Sequence, residues 1–482
     1  MTNGQLRRGV VAVVGGVVAA VAPATSARAG GFYVPEIGPR SVAMGGAMAA
    51  ADADASAVFH NPAGLAGLGD TSEVQVAGAM VLPDLTYYRR PVLDPSTGEM
   101  LHFRPVENEN RVAVVPYLGA AFASGVDDLE LGLAVYAPFG ATIEYPADGA
   151  QRQVVTGISL RTIYVSPAAA YRLGHGVRLG VTLSYVYADM AIDQANALQY
   201  VTGDPEAYPD PDPGVEGTTH VEGRDPASFG ATLGAQWADP AGRLTVGASL
   251  MLPTNLDFEG DAVVVNSGIN PLFDADGQVV QDAGRRTDAV RMEIPLPLIA
   301  RAGVAWRPQP RTSIGLDVNY QRWSSFDALK VDFATEPELL QTTGAVLKDV
   351  TVKNDWRDSW TVRLGGETRP FDPGRVPLTL RAGLLYDQSP IDDRHFGLLT
   401  PDSDKVGASG GVGWVFAAPG GRAVDVGLSY MHVFLRERDI EPGPDGMPGS
   451  DGTVLNKPAP SFFHGVTRAA FDIVYLAATV RL

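Results

Sequence analysis

From about Glu73 to Leu482 the chain runs in short stretches with an apolar residue at every second position, joined by connections that are by turns long and very short. A strand sends successive side chains to opposite faces, so each stretch has one greasy face and one polar or small face. In 177–185 one face is Val177, Leu179, Val181, Leu183 and Tyr185, and the other is Arg178, Gly180, Thr182 and Ser184. Ile314, Leu316, Val318 and Tyr320 likewise oppose Gly315, Asp317 and Asn319, and Val424, Val426, Leu428 and Tyr430 oppose Asp425, Gly427, Ser429 and Met431. A sheet standing in lipid reads this way, apolar outside and polar inside, but so does a soluble β-sandwich with one wet face. Alternation alone leaves both open.

The N-terminus separates them. Arg7 and Arg8 precede an apolar run from Gly9 to Pro23, and Ala27-Arg28-Ala29 offers a small-x-small cleavage site. These are the parts of a secretory signal, predicted to occupy 1–29. No later stretch offers ~20 consecutive apolar residues, which excludes a helical span. The sequence has no cysteine, so disulfides and thiolate metal sites are excluded. Its formal charge of −18 becomes −21 once the three arginines of the signal leave, which argues against a nucleic-acid partner. Acidic residues cluster in connections such as Asp204 to Asp212 and Asp274 to Asp282, as solvated loops do.

About fourteen strands are predicted, at 73–88, 111–124, 129–145, 153–173, 176–193, 220–238, 242–262, 289–306, 311–332, 349–370, 377–387, 403–417, 422–438 and 461–482. Bacterial outer-membrane barrels have an even number. Connections after the first, fifth, seventh, ninth, eleventh and thirteenth strands are long, and those after even-numbered strands are short turns such as Gly174-His175 and Pro308-Gln309-Pro310. A barrel sorts its loops this way, long outside and short inside, and a sandwich has no reason to. The predicted fold class is therefore all-β, a transmembrane antiparallel β-barrel over 73–482. Val474, Leu476, Ala478, Val480 and Leu482 give its last strand an apolar face.

Residues 30–72 are too few for a core of their own but fit inside a barrel. They contain the run Asp54-Ala55-Ser56-Ala57-Val58-Phe59-His60-Asn61-Pro62-Ala63-Gly64-Leu65. Further along stand Leu131-Gly132-Leu133-Ala134-Val135-Tyr136-Ala137-Pro138-Phe139-Gly140, Trp323-Ser324-Ser325-Phe326-Asp327-Ala328-Leu329-Lys330, Asp387-Gln388-Ser389-Pro390 and Val424-Asp425-Val426-Gly427-Leu428-Ser429-Tyr430-Met431-His432. In these motifs and their order the chain resembles the FadL family of outer-membrane long-chain fatty-acid and hydrocarbon transporters, across essentially the whole mature sequence.

The resemblance implies a barrel of fourteen strands in the outer membrane of a Gram-negative bacterium, plugged by a hatch at 30–72. It implies passive uptake: hydrophobic molecules are captured at extracellular loops and released sideways into the membrane. The expected partners are a hydrophobic small-molecule ligand and outer-membrane lipid, with the protein a monomer and no cofactor. Energetics favour lateral release. Burying a tail of about fifteen methylenes is worth on the order of 12 kcal/mol at roughly 0.8 kcal/mol each. Release into water forfeits most of that, and release into lipid does not.

A hole in the wall needs a break in the hydrogen-bond ladder. Pro138 lacks the N–H a central strand requires and Gly140 tolerates unusual backbone angles, so a kink is predicted at Ala137, Pro138, Phe139 and Gly140, where the resemblance places a lateral opening. Asn61, Pro62 and Ala63 match the family's hatch turn. Phe32, Phe59, Trp323 and Phe326 are candidates for a tail pocket. Lys330 and Arg161 are candidates for a carboxylate head group, against the alternative of ordinary lumen ion pairs. The family's fatty-acid binders tend to carry basic residues at the end of the fifth strand, whereas this chain has Tyr187-Ala188-Asp189-Met190, which leaves neutral aromatic or aliphatic hydrocarbons as alternative cargo. The long connections 194–219 and 263–288, with Leu198, Tyr200, Tyr208, Ile269, Leu272 and Phe273, are expected to form the outer capture surface.

A general porin is the less favoured rival, since a hatch would block it. No metal site is expected, because Asp274-Ala275-Asp276-Gly277 and Asp445 to Asp451 do not reproduce a calcium loop. Nor is an enzyme. Gly407-Ala408-Ser409-Gly410-Gly411 fits G-x-S-x-G but falls within a strand, without the following helix. His60, His102, His175, His220, His395, His432 and His464 are scattered, with no evident acid or nucleophile beside them.

Overall fold

The computed structural model describes residues 32–51, 54–69, 71–110, 112–196, 216–265, 272–273, 279–280, 285–335, 338–340, 345–346, 349–371, 377–392, 396–419, 422–440 and 464–482. Fourteen antiparallel strands form the wall. β1 is Glu73–Arg89, β2 Ala113–Ala123, β3 the two segments Leu129–Tyr136 and Gly140–Glu144, β4 Gly157–Gly174, β5 Val177–Asn196 and β6 Gly217–Ala238. β7 comprises Leu244–Met251 and Thr254–Val265, β8 Arg285–Leu296 and Ile299–Gln309, β9 Thr312–Gln321 and Ala328–Phe333, and β10 Val350–Lys353 and Ser359–Thr368. β11 (Leu378–Asp387), β12 (Lys405–Ala418), β13 (Arg422–Leu435) and β14 (Gly465–Arg481) complete it. β14 pairs back onto β1 from Glu73↔Arg481 to Arg89↔Gly465, so the sheet closes on itself. Closure is what lipid demands, because an open strand edge has no water there to satisfy it.

The alternation sets the two sides. Leu183, Leu316, Leu364, Leu384 and Leu476 face out and are exposed, while Thr182, Ser184, Asp317, Arg363 and Ser429 face in and are buried. The lumen itself is graded. Toward the long connections its residues include the apolar Val81, Val115, Ile158, Phe258, Met292, Val331, Met431 and Ile473, among which stand buried charged residues such as Asp387, Asp402 and Lys405, Arg89, Arg152 and Glu216, Asp225, Asp288 and Arg438. Toward the short turns they are polar: Gln236, Thr245, Ser249, Arg301, Asp317, Asn319, Arg363 and Thr479.

The hatch sits on that polar floor as two short helices, α1 (Pro39–Ala43) and α2 (Ala57–His60), and a 3-10 turn at Pro62–Gly67. The wall is glycine where the hatch comes closest. A Cβ on Gly180 would lie 2.4 Å from the backbone of Pro62 and Ala63, and one on Gly383 would lie 2.1 Å from the nitrogen of Gly45.

The predicted seventh to tenth strands, read as continuous, are each broken. The gaps in β7 and β8 contain Pro253 and Pro297, which cannot donate to a ladder. The connection at 145–156 also departs from expectation, folding inward so that Gln151, Arg152 and Val155 are buried. Arg152 is held there by Glu216, Nε to Oε2 at 2.7 Å. The predicted signal and most of the predicted capture loops, including Leu198, Tyr200, Tyr208 and Ile269 and the side chains of Leu272 and Phe273, lie outside the described residues.

Candidate functional site

Strand β3 stops at Tyr136 and resumes at Gly140. Against β4 the register passes from Tyr136↔Tyr164 to Gly140↔Arg161, so three residues on β3 face two on β4 and the chain bulges. Thr162 of β4 fills the gap: its Oγ1 donates to the carbonyl of Phe139 and accepts from the Phe139 N–H at 3.3 Å. On the other side the wall parts. β2 pairs with β3 only from Leu118↔Val135 to Ala123↔Glu130, leaving Ala113–Tyr117 of β2 with no ladder partner on β3. Above, Asn110 reseals the wall, donating to the Thr142 carbonyl at 2.9 Å and accepting from the Glu144 N–H at 3.1 Å. The result is a stretch of wall without ladder pairing, a candidate window, between 113–117 and 136–142.

The window is stopped from inside by the first described residues of the hatch. Tyr33 forms an antiparallel bridge with Phe139, flanked by bonds from the Val34 N–H to the Pro138 carbonyl (2.7 Å) and from the Gly140 N–H to the Phe32 carbonyl (2.8 Å). Phe32, Tyr33 and Val34 thus strap the kink. Their side chains reach other walls. The Tyr33 ring lies 5.1 Å from Phe139 and 6.4 Å from Phe59, which in turn meets Tyr136 at 5.2 Å. The Tyr33 hydroxyl accepts from Arg301 of β8 at 2.6 Å.

Arg301 is buried, its guanidinium 4.9 Å from the Phe59 ring centroid, with Ser249 Oγ as a further acceptor at 3.4 Å. Among the described residues no carboxylate lies within salt-bridge distance of it. A buried cation without an anion is costly unless something else supplies charge or hydrogen bonds.

Phe32 turns the opposite way, into a box of wall aromatics. Its ring lies 6.5 Å from Trp323, 6.0 Å from Phe326 and 5.5 Å from Trp356. The box exists because β9 and β10 break side by side. The 3-10 turn Trp323–Ser325 interrupts β9, and in the β10 gap Asn354 and Asp355 donate backbone N–H groups to the Asp327 carbonyl. Trp323 is fixed by its Nε1–H, which donates to Gln321 Oε1 at 2.8 Å.

The rest of the hatch is tied down by polar contacts. Asn61 Oδ1 accepts from the Ala63 N–H at 3.2 Å, while its Nδ2 donates to the carbonyls of Ala49 (2.7 Å) and of Ala235 on β6 (3.2 Å). Pro62 takes the first helical position, where its missing N–H costs nothing. Asp317 accepts the N–H groups of Met48 and Ala49, both at 2.7 Å, and Arg363 donates to Glu36 at 3.0 Å. Arg40 and Arg381 share Glu367. Burial pushes His60 down to about 3, so its ring is neutral, and Nε2–H donates to the Ile37 carbonyl at 2.8 Å.

Of the predicted residues, Ala137, Pro138, Phe139 and Gly140 lie at the β3 break, and Phe32, Trp323 and Phe326 come together in the box. Phe59 stands apart, in the cluster around Tyr33. The two predicted head-group cations do not reach the lumen. Lys330 is exposed on the outer face of β9, because Leu329 and Val331 beside it take the inward positions. Arg161 also points outward, between buried Leu160 and Thr162, and is neutralised by Asp189 at 2.6 Å. Two histidines have acid partners after all, His220 with Asp193 and His432 with Asp472, both at 2.6 Å. Ser409 is a hatch anchor, its Oγ donating to the Ala43 carbonyl at 3.2 Å and accepting from the Gly45 N–H at 3.1 Å. Tyr33, Arg301, Thr162 and Trp356 were missed. Arg301 was legible by phase, since outward Val304 and Trp306 put 301, 303 and 305 inside.

Residues 20–439 match the family model described as outer membrane protein transport protein (OMPP1/FadL/TodX). The long-chain fatty acid transport protein of Escherichia coli K12 is 24% identical over 436 residues, covering 86% of this chain and 90% of its own. A crystal structure of a Pseudomonas aeruginosa FadL homologue superposes with a TM-score of 0.73 at 19% identity, over 93% of this chain and 99% of its own. The Pseudomonas putida toluene transporter TodX gives 0.63 at 15% identity, over 94% and 99%.

Proposed function

Because this chain belongs to the outer membrane transport protein family OMPP1/FadL/TodX, we propose a specific path by which it passes cargo. The protein is a FadL-type outer-membrane transporter of long-chain fatty acids and other hydrophobic compounds. Cargo enters the apolar upper lumen, where its tail replaces water at little cost. An acidic head group settles on Arg301, a buried cation with no carboxylate within salt-bridge distance among the described residues. The strap Phe32-Tyr33-Val34 then parts from Pro138–Gly140, and the tail leaves through the window between β2 and β3 into lipid.

The observation that carries this reading is the strap itself. Three consecutive residues of the hatch meet the part of β3 that has no ladder partner on β2. A break used only to end a strand has no need of a cover from the plug. Diffusion down the path requires no ATP or ion gradient, because cargo moves from one apolar environment to another.

The test is reconstitution. Proteoliposomes should take up externally added dodecanoate into their bilayer faster than protein-free vesicles while retaining entrapped sucrose, and planar bilayers should show little steady conductance. Sucrose leakage with a large open-channel current would instead identify a general porin.

A further inference from the structure

The Phe32 box has a feature that packing alone does not explain. Trp323, Phe326 and Trp356 belong to the wall, and the fourth ring, Phe32, is lent by the hatch. Phe32 and Trp356 each touch all three other rings, with Trp356 5.1 Å from Trp323 and 5.0 Å from Phe326. Yet the Trp356 indole N–H, buried in that group, has no acceptor among the described residues. Buried tryptophan N–H groups are normally satisfied, so an orphaned donor within a ring-sized position calls for a missing acceptor. Phe32 fills the space and has none to offer.

We propose that Trp323, Phe326 and Trp356 form a binding pocket for an aromatic ring that carries a hydrogen-bond acceptor, and that Phe32 occupies it as a built-in competitor in the resting protein. This rests on the transport reading above and narrows its cargo. The three wall rings meet Phe32 at interplanar angles of 36° to 68°, tilted and edge-on contacts that use the quadrupole of a second ring and that an alkyl chain does not reproduce. Adding a carbonyl or ether oxygen to that ring satisfies the Trp356 N–H. Exchange also loosens the strap, because the residue expelled is the one whose carbonyl binds Gly140.

The test compares acetophenone, ethylbenzene and decane, titrated by calorimetry into the detergent-purified full chain. Wild type should bind acetophenone about tenfold more tightly than ethylbenzene, the difference one well-placed hydrogen bond makes, with decane weaker still. Trp356→Phe should erase the preference for acetophenone. Phe32→Ala should raise the affinity for both aromatics. Equal wild-type affinities, a preference that survives Trp356→Phe, or a Phe32→Ala variant with unchanged aromatic affinity would each overturn the proposal. Dodecanoate transfer into liposomes, measured on the same preparations, separates the two readings. Transfer without aromatic preference defeats this inference alone, and absence of transfer defeats the transport path.

Discussion

Tyr33 is paired edge to edge with Phe139, a residue 106 positions away in a different structural unit, across a break that no wall strand covers. Through its hydroxyl the same residue accepts from Arg301, so one hatch side chain links the β3 kink to the buried cation of β8. The hatch therefore covers the unpaired stretch of wall at the β3 break as well as the lumen floor.

If Arg301 receives acidic head groups, its replacement should discriminate between cargoes. Arg301→Gln should weaken dodecanoate binding about ten- to a hundredfold, the range for losing a hydrogen bond to a charged group, and leave dodecane binding unchanged. Equal losses for both would remove Arg301 from the path.

His60 makes hatch docking pH-dependent. Its folded pKa of about 3 lies below the ordinary value of 6.5, so the unfolded or undocked hatch binds the extra proton and docking weakens as pH falls below 6.5. At pH 5 the loss is about 2 kcal/mol. Arg301 and Arg363 nearby push the same way and Asp54 opposes them. Conductance should rise more between pH 6.5 and 5 in wild type than in His60→Gln. An identical pH response in both would contradict this.

Asn61→Ala removes a turn cap and two donors that reach Ala49 and the β6 wall. The hatch should lose about 1–3 kcal/mol, seen as faster proteolysis of the segment before β1 in an otherwise intact barrel. The barrel's own thermal transition should not move.

The wall is tested separately. Leu183 faces lipid, 60% exposed. Leu183→Arg should destabilise the barrel by roughly 2–4 kcal/mol in urea unfolding from lipid if it lies near the midplane.

Much of this was readable because period-two alternation is a local signal. The lipid face of 177–185, the inward Asp317 and Asn319, and the break at Pro138 all follow from neighbours in sequence. Other features were hidden for identifiable reasons. Pro253 and Pro297 carry the same message as Pro138, but the alternation resumes so soon after each that 242–262 and 289–306 read as unbroken. The 3-10 turn at Trp323–Ser325 resets the phase, which is why Lys330, at the end of an otherwise telling motif, falls on the outside. Trp356 disappeared into a stretch read as strand. The links between Tyr33 and Arg301, or between Phe32 and Trp356, join residues hundreds of positions apart and exist only once the barrel has closed around the hatch.

The absence of native cysteines permits one decisive measurement. Tyr33 and Phe139 form a non-hydrogen-bonded antiparallel pair, whose Cα atoms sit ~4.5 Å apart, within disulfide range. In liposomes, the oxidised Tyr33→Cys, Phe139→Cys double variant should transfer no dodecanoate into the bilayer. Reduction should restore transfer to the rate of the two single variants. Transfer that proceeds as fast with the strap locked to the kink as with it free would contradict release through the side wall.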